Sequence, residues 1–209
     1  MPVLTYFPSR GLAELVRVLL SVAGVAYEQR FVGDRAPELL PALKASGVLA
    51  FGAVPLWEDG SLSLVQSDAI LRHLARAHGL YGATASDAAR CDEQHEGVRD
   101  VRAQLGRLRG AAPADVAGLR AELADAVLPR WLGHFERRLT GRTWLVGDAV
   151  TYADLSLWLL LETLRDNGLA SGLAACPALT AHEARVAALP GVAAHVADPN
   201  RFPVQPLPR

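Results

Sequence analysis

The chain has 209 residues, 51% of them hydrophobic, and its 21 basic and 22 acidic residues leave a formal net charge of -1. That length supports one large domain or two small ones, and the balanced charge gives no electrostatic pull toward nucleic acid or an anionic membrane. The two cysteines, Cys91 and Cys176, lie far apart in no CxxC or His spacing, which argues against a disulfide framework or a metal site and for a reducing, cytoplasmic setting.

No apolar run reaches the length of a membrane-spanning helix, and no signal-peptide pattern is apparent. Val3 to Tyr6 reads as a strand, and Leu12 to Val22 repeats Leu and Val at helical spacing up to Gly24. Ala26 to Val32 reads as a second strand and Glu38 to Ala45 as a short helix. Pro55 to Trp57 and Ser61 to Val65 flank Glu58-Asp59-Gly60, a hairpin signal. Ser67-Asp68 caps a third helix, Ala69 to Ala77, that ends at Gly79. The order βαβ then ββα implies a small mixed sheet covered by helices.

From Ser86 onward strand signals vanish. Apolar residues keep helical period through Val98, Val101 and Leu105, and again from Val116 to Leu139. Thr151-Tyr152-Ala153-Asp154 is a capping box opening the most apolar helix of the chain, which belongs in the middle of a bundle. Pro177 and Pro190 punctuate two shorter helices, and Pro206 and Pro208 suggest an extended tail. An α/β unit over residues 1–80 is therefore expected before an all-α unit over 86–209.

Three elements with chemical potential fall at one edge of the first unit. Tyr6 ends the first strand, where a phenol can donate a hydrogen bond to an anion such as a thiolate without ionising. It can equally plug the end of a core strand. Val54-Pro55 precedes a strand and is a candidate cis peptide bond. Gln66-Ser67-Asp68 stands at a helix N-terminus, a site for a carboxylate or an ordinary cap. His73, His78, His95 and His134 show no ligand spacing, so no metal is expected.

TYFPSRG, LKAS (Leu43 to Ser46), VP before a hairpin, DGSLSLVQSDAILRHL (Asp59 to Leu74), GLYG (Gly79 to Gly82) and LVGDAVTYADLSL (Leu145 to Leu157) form an ordered set spanning almost the whole chain. The set resembles the glutathione transferases, and within them the tyrosine-type branch, with the pi and sigma classes nearest. The resemblance implies a thioredoxin-like glutathione-binding domain followed by an all-α helical bundle that contributes the electrophile pocket. It implies that Tyr6 stabilises the glutathione thiolate, Lys44 reaches the glycyl carboxylate, and Val54 pairs with the cysteinyl backbone in front of cis Pro55. Gln66 and Ser67 would hold the γ-glutamyl end, helped by Asp100 of the partner subunit. Phe7, Ser9, Gly106, Leu108 and Gly110 would line the electrophile site, with Arg102, Arg107 and Arg109 nearby. Phe51 stands where several classes place an aromatic key between subunits of a homodimer. Asp154 and Thr151 would form a folding-related cap.

Glutathione is thus the expected co-substrate, a small apolar electrophile the expected partner, and conjugation the expected reaction. A glutathione-dependent isomerase or a non-catalytic ligand carrier on the same fold remains as an alternative. A hydrogen bond from Tyr6 that lowers a thiol pKa by about 2 units supplies roughly 2.7 kcal/mol, within reach of one charge-assisted donor plus local dipoles. The chain departs from the pattern at Leu12, where an arginine is usual, at Glu38, near a missing tryptophan, and at Ala53, in place of a glutamine.

Overall fold

The computed structural model describes residues 1–208. The first unit is built on strands β1 (Val3–Tyr6), β2 (Glu28–Phe31), β3 (Leu56–Glu58) and β4 (Ser63–Val65), with helices α1 (Glu14–Val22), α2 (Leu39–Ala45) and α3 (Ser67–Ala77). Its sheet runs in the order β2-β1-β3-β4. β1 and β2 are parallel, as a crossover through α1 requires, while β1/β3 and β3/β4 are antiparallel. The hairpin turns where Asp59-Gly60 stands: Gly60 adopts φ +88, and the Asp59 carboxylate accepts hydrogen bonds from the Ser61 and Leu62 N–H groups. Leu4, Leu56 and Trp57 of the sheet and Leu19, Leu20, Ile70 and Leu71 of α1 and α3 are fully buried and form the core.

Two local expectations are corrected here. Ser67 is not a cap but the first residue of α3, and the position before it is Gln66, at φ 73 and ψ 110, with no side-chain capping bond. A Gly11–Ala13 turn of tighter helix precedes α1, so the α-helix proper begins at Glu14 rather than Leu12.

The second unit is helical: α4 (Ala85–Arg109), α5 (Val116–Glu122), α6 (Leu128–Leu139), α7 (Tyr152–Asp166) and α8 (Pro177–Ala187). Thr84 and Asp87 close a capping box at the start of α4 that the sequence reading passed over. The stretch from Val116 to Leu139 is not one helix, because a wide-turn segment at Leu123–Val127 separates α5 from α6. α7 is buried along nearly its whole length and packs between α4 and α8, as its all-round apolar sequence requires. Its box is present: the Asp154 carboxylate accepts from the N–H and hydroxyl of Thr151, both at 2.8 Å.

The compact units do not follow the chain as simply as residues 1–80 and 86–209. Leu189–Pro203, which carries α9 (Pro190–Ala197), belongs with Met1–His78. The reason is direct bonding to α1. Ser21 Oγ donates to the Gly191 carbonyl at 2.8 Å, and a Cβ on Gly191 would come within 2.5 Å of Val22 Cα, so only glycine allows this approach. Buried Glu14 accepts from Arg201 Nε at 2.9 Å and sits 3.0 Å from His195 Nε2 and 3.3 Å from an Arg17 Nη.

Burial alone would push the Glu14 carboxyl up, but hydrogen bonds and charge from His195 and Arg201 outweigh it and bring the pKa to about 2. The folded chain therefore keeps Glu14 ionised where the unfolded chain has already taken up a proton near the ordinary value. The stability it contributes is complete above pH 4.5, drains as pH falls toward 2, and amounts to about 3 kcal/mol. Glu14→Gln is expected to lose about that much at pH 7 and much less at pH 2.5, read by urea unfolding at both. A constant difference between the two pH values would remove Glu14 from the acid limb.

Candidate functional site

Sheet register assembles the site. Tyr6 pairs with Phe31, Thr5 with Leu56, and Leu56 with Val65. One residue beyond the Thr5–Leu56 and Leu56–Val65 pairs, the register sets Tyr6, Pro55 and Gln66 side by side at one edge of the sheet. The Val54-Pro55 bond is cis, as its position before a strand suggested. Ser67 follows at the N-terminus of α3, where first-turn N–H groups have no intrahelical acceptor and the helix dipole favours an anion. Gln66 is a non-glycine residue in the left-handed half of backbone space, a conformation that costs about 1–3 kcal/mol. Such strain persists where the surroundings fix it, and here it lies where the strand hands over to the helix.

Tyr6 is 7% exposed, its ring held edge-on by Phe7 at 5.6 Å. Its hydroxyl oxygen accepts a hydrogen bond from the Leu12 N–H at 3.0 Å. That bond occupies the oxygen as an acceptor and leaves its proton for donation outward, strengthened by polarisation. Leu12, where the family usually carries an arginine, brings no guanidinium to this turn, but its main-chain N–H supplies a hydrogen-bond donor to the phenol. Gly11 was missed. It adopts φ +45, and a Cβ there would lie 2.5 Å from Tyr6 Oη, so the turn admits the phenol only because position 11 is glycine. The signal was present in TYFPSRG, but nothing in a linear string shows that the turn folds back over the ring.

Lys44 lies in the last turn of α2 and is exposed, without a register contact that fixes its ammonium at this edge. Phe7 is partly exposed; Ser9 is half-buried, and its carbonyl accepts from Arg17 Nη1 at 2.8 Å. Asp100, Gly106 and Leu108 are on α4 in the other unit, and Gly110 is the residue that caps its C-terminal end. Asp100, Gly106 and Gly110 are exposed, whereas Leu108 is 0% exposed. This is a correction for Leu108: it continues the buried series Val98, Val101, Leu105 at helical spacing, so it is a core side chain without surface for a ligand.

The chain's own thiols are poor nucleophiles. Burial pushes Cys91 up to about 11 and raises Cys176 as well, and both are free and buried. Among the described residues no group of His, Cys, Asp or Glu is placed to hold a metal ion, and no helix is long and apolar enough to cross a membrane.

Residues 2–76 match the family model for the glutathione S-transferase N-terminal domain, and residues 99–199 match that for the C-terminal domain. The chain is 37% identical over 193 residues to glutathione S-transferase A2 of Mus musculus, covering 91% of this chain and 86% of that protein. It is 35% identical to glutathione S-transferase alpha-1 of Rattus norvegicus over the same shares of the two chains. Identity to glutathione S-transferase P 1 of Xenopus laevis is 34% over 211 residues, covering 98% and 96%. The expected leaning toward the pi and sigma classes is thereby corrected, since alpha-class relatives are nearer. Two family models that together span most of the chain, on a mixed sheet followed by a helical unit, establish that the chain belongs to the glutathione S-transferase family.

Proposed function

We propose that this transferase uses the Tyr6 hydroxyl to stabilise the thiolate of glutathione and delivers it to small hydrophobic electrophiles. The observation that carries this reading is the Leu12 N–H bond to Tyr6 Oη, which uses the oxygen as an acceptor and leaves the phenol its proton to donate. The protein's share of the work is activation and positioning; the attack on carbon is the thiolate's own chemistry. Around it, Val54 would pair with the cysteinyl backbone beside cis Pro55. Gln66 and Ser67 at the α3 N-terminus would receive the γ-glutamyl carboxylate, and Lys44 the glycyl carboxylate. Asp100 of the partner subunit would contact the γ-glutamyl amino group. For the electrophile the family resemblance nominates Phe7 and Ser9 of the first unit and, of the second, the exposed glycines Gly106 on α4 and Gly110 at its C-terminal cap.

Conjugation is tested by incubating the chain with glutathione and 1-chloro-2,4-dinitrobenzene while following both the conjugate and free thiol. Conjugate formed with stoichiometric loss of thiol supports transfer; isomerisation is read in a second assay with a cis dienone such as maleylacetone, where trans product at constant thiol would establish it on the same site, and no product from either substrate would leave a carrier.

A homodimer completes this reading. Phe51 is 71% exposed on the loop before Val54, an apolar ring that costs solvation unless a partner covers it. Phe51→Asp is expected to weaken self-association at least about tenfold, the effect of burying an unpaired charge in place of a ring. Sedimentation velocity over a dilution series reads it; an unchanged dimer would remove Phe51 from the interface.

A further inference from the structure

The loop that joins α6 to α7 gathers arginines without acids to balance them. Gly141 turns the chain at φ +71 just after α6, and the Arg142 N–H returns to the Leu139 carbonyl at 2.9 Å, with Arg142 itself exposed. From α6, Arg138 Nε donates to the Leu145 carbonyl at 2.9 Å. From α8, Arg185 Nη1 donates to the Thr143 carbonyl at 2.8 Å. Residues 142–145 thus carry one guanidinium and anchor two more. Neutral carbonyls fix the position of Arg138 and Arg185 and leave their charge uncompensated.

The carboxylates that could balance this charge are engaged elsewhere. Glu136 accepts from the Ala178 and Leu179 N–H groups, at 3.1 and 2.8 Å. Glu183 is held by Arg165 Nε and Nη2 at 2.7 and 2.6 Å, and Glu93 by Arg90 at 2.9 Å. Asp148, exposed farther along the loop, makes no ion pair. Among the described residues, no carboxylate stands within ion-pair distance of Arg138, Arg142 or Arg185. The crowding acts on Arg138: burial lowers its pKa, and repulsion from Arg142 and Arg90 lowers it further, against the pull of Glu93. Cations that the fold holds together are relieved by a compact anion of several negative oxygens. Guanidinium forks match phosphate oxygens in pairs, and a lone carboxylate has too little charge for three of them.

We infer that the α6–α7 loop is a binding site for a soluble diphosphate group, held by the guanidinium groups of Arg138, Arg142 and Arg185. The site lies wholly in the helical unit and takes no part in glutathione activation. Arg138 ties α6 to the chain ahead of α7, so Arg142→Glu and Arg185→Gln carry the test. Arg30→Ala, an arginine already paired with Glu58 in the first unit, is the control. The probe is inorganic pyrophosphate, titrated into the full chain by calorimetry at ~0.15 M salt, with saturating S-hexylglutathione present so that the Tyr6 edge is occupied. One saturable site is expected, weakened at least about tenfold by Arg142→Glu and by Arg185→Gln and unchanged by Arg30→Ala. Malonate should bind at least about tenfold more weakly, since each phosphate brings more charge and three strong acceptor oxygens. Conjugation rates should stay at wild-type values in both loop variants. The absence of saturable binding, indifference to both loop variants, an equal loss with Arg30→Ala or equal affinity for malonate would overturn the proposal, as would a fall in conjugation with both loop variants. Phosphatidylcholine vesicles containing phosphatidylinositol 4-phosphate test a lipid headgroup as the source. Retention of the chain on them without binding of free pyrophosphate would overturn a soluble ligand.

Discussion

Tyr6→Phe is expected to lower kcat/KM for glutathione conjugation about 25-fold at pH 7, approaching 100-fold below pH 6. The size follows from titration. If the phenol lowers the bound thiol from its reference pKa of about 8.5 by about 2 units, then near neutral pH most of it is thiolate in the wild type and only about 3% in the variant. The pH profile of the variant should be displaced upward by about 2 units, and the two enzymes should converge above about pH 9, where both thiols are ionised. That convergence separates lost activation from lost binding or misfolding, which would depress the rate at every pH. Gly11→Ala should move in the same direction by a smaller amount, because its Cβ would press on Tyr6 Oη and shift the proton's aim. Profiles that superimpose for Tyr6→Phe and the wild type would take the phenol out of the mechanism.

Asp154→Ala is expected to cost about 3–5 kcal/mol of stability in the helical unit, the range for removing one side of a buried charged network. Asp154 is 0% exposed and accepts four hydrogen bonds at 2.8 Å, from the Leu145 N–H, the Thr151 N–H, the Thr151 hydroxyl and His182 Nε2. Truncation leaves each of these donors facing a void, and an unsatisfied buried donor costs more than a hydrogen bond gains. Thr151→Ala, which removes one donor and keeps the acceptor, should cost only about 1 kcal/mol. Urea unfolding monitored by far-UV circular dichroism measures both. A loss below about 1 kcal/mol for Asp154→Ala would show that the network is no more than a surface cap.

Thr151 and Asp154 were legible because a capping box is a local pattern four residues wide. His182 was not, because it joins the same carboxylate from α8, 28 positions later, and no spacing rule links them. The same division runs through the candidate site. The strand ending at Tyr6, the Asp59-Gly60 hairpin and the cis bond at Val54-Pro55 are decided by neighbouring residues, and all stand as read. The Leu12 N–H and the left-handed Gln66 are properties of the main chain, and a letter code for side chains carries little of either. Leu108 was misplaced for a different reason. Family analogy put it on a pocket wall while its own periodicity, shared with Val98, Val101 and Leu105, had already turned it inward.

The bonds from Ser21 to Gly191 and from Arg201 to Glu14 carry a consequence for biosynthesis. A ribosome makes residues 1–78 first, but the strip that seals the outer side of α1 emerges only after the entire helical unit has been translated. Until then the nascent sheet and its first helix wait with Glu14 and Val22 uncovered. Messages truncated ahead of codon 189 should therefore yield polypeptides that chaperones retain, even though every residue of the Tyr6 edge has already been synthesised.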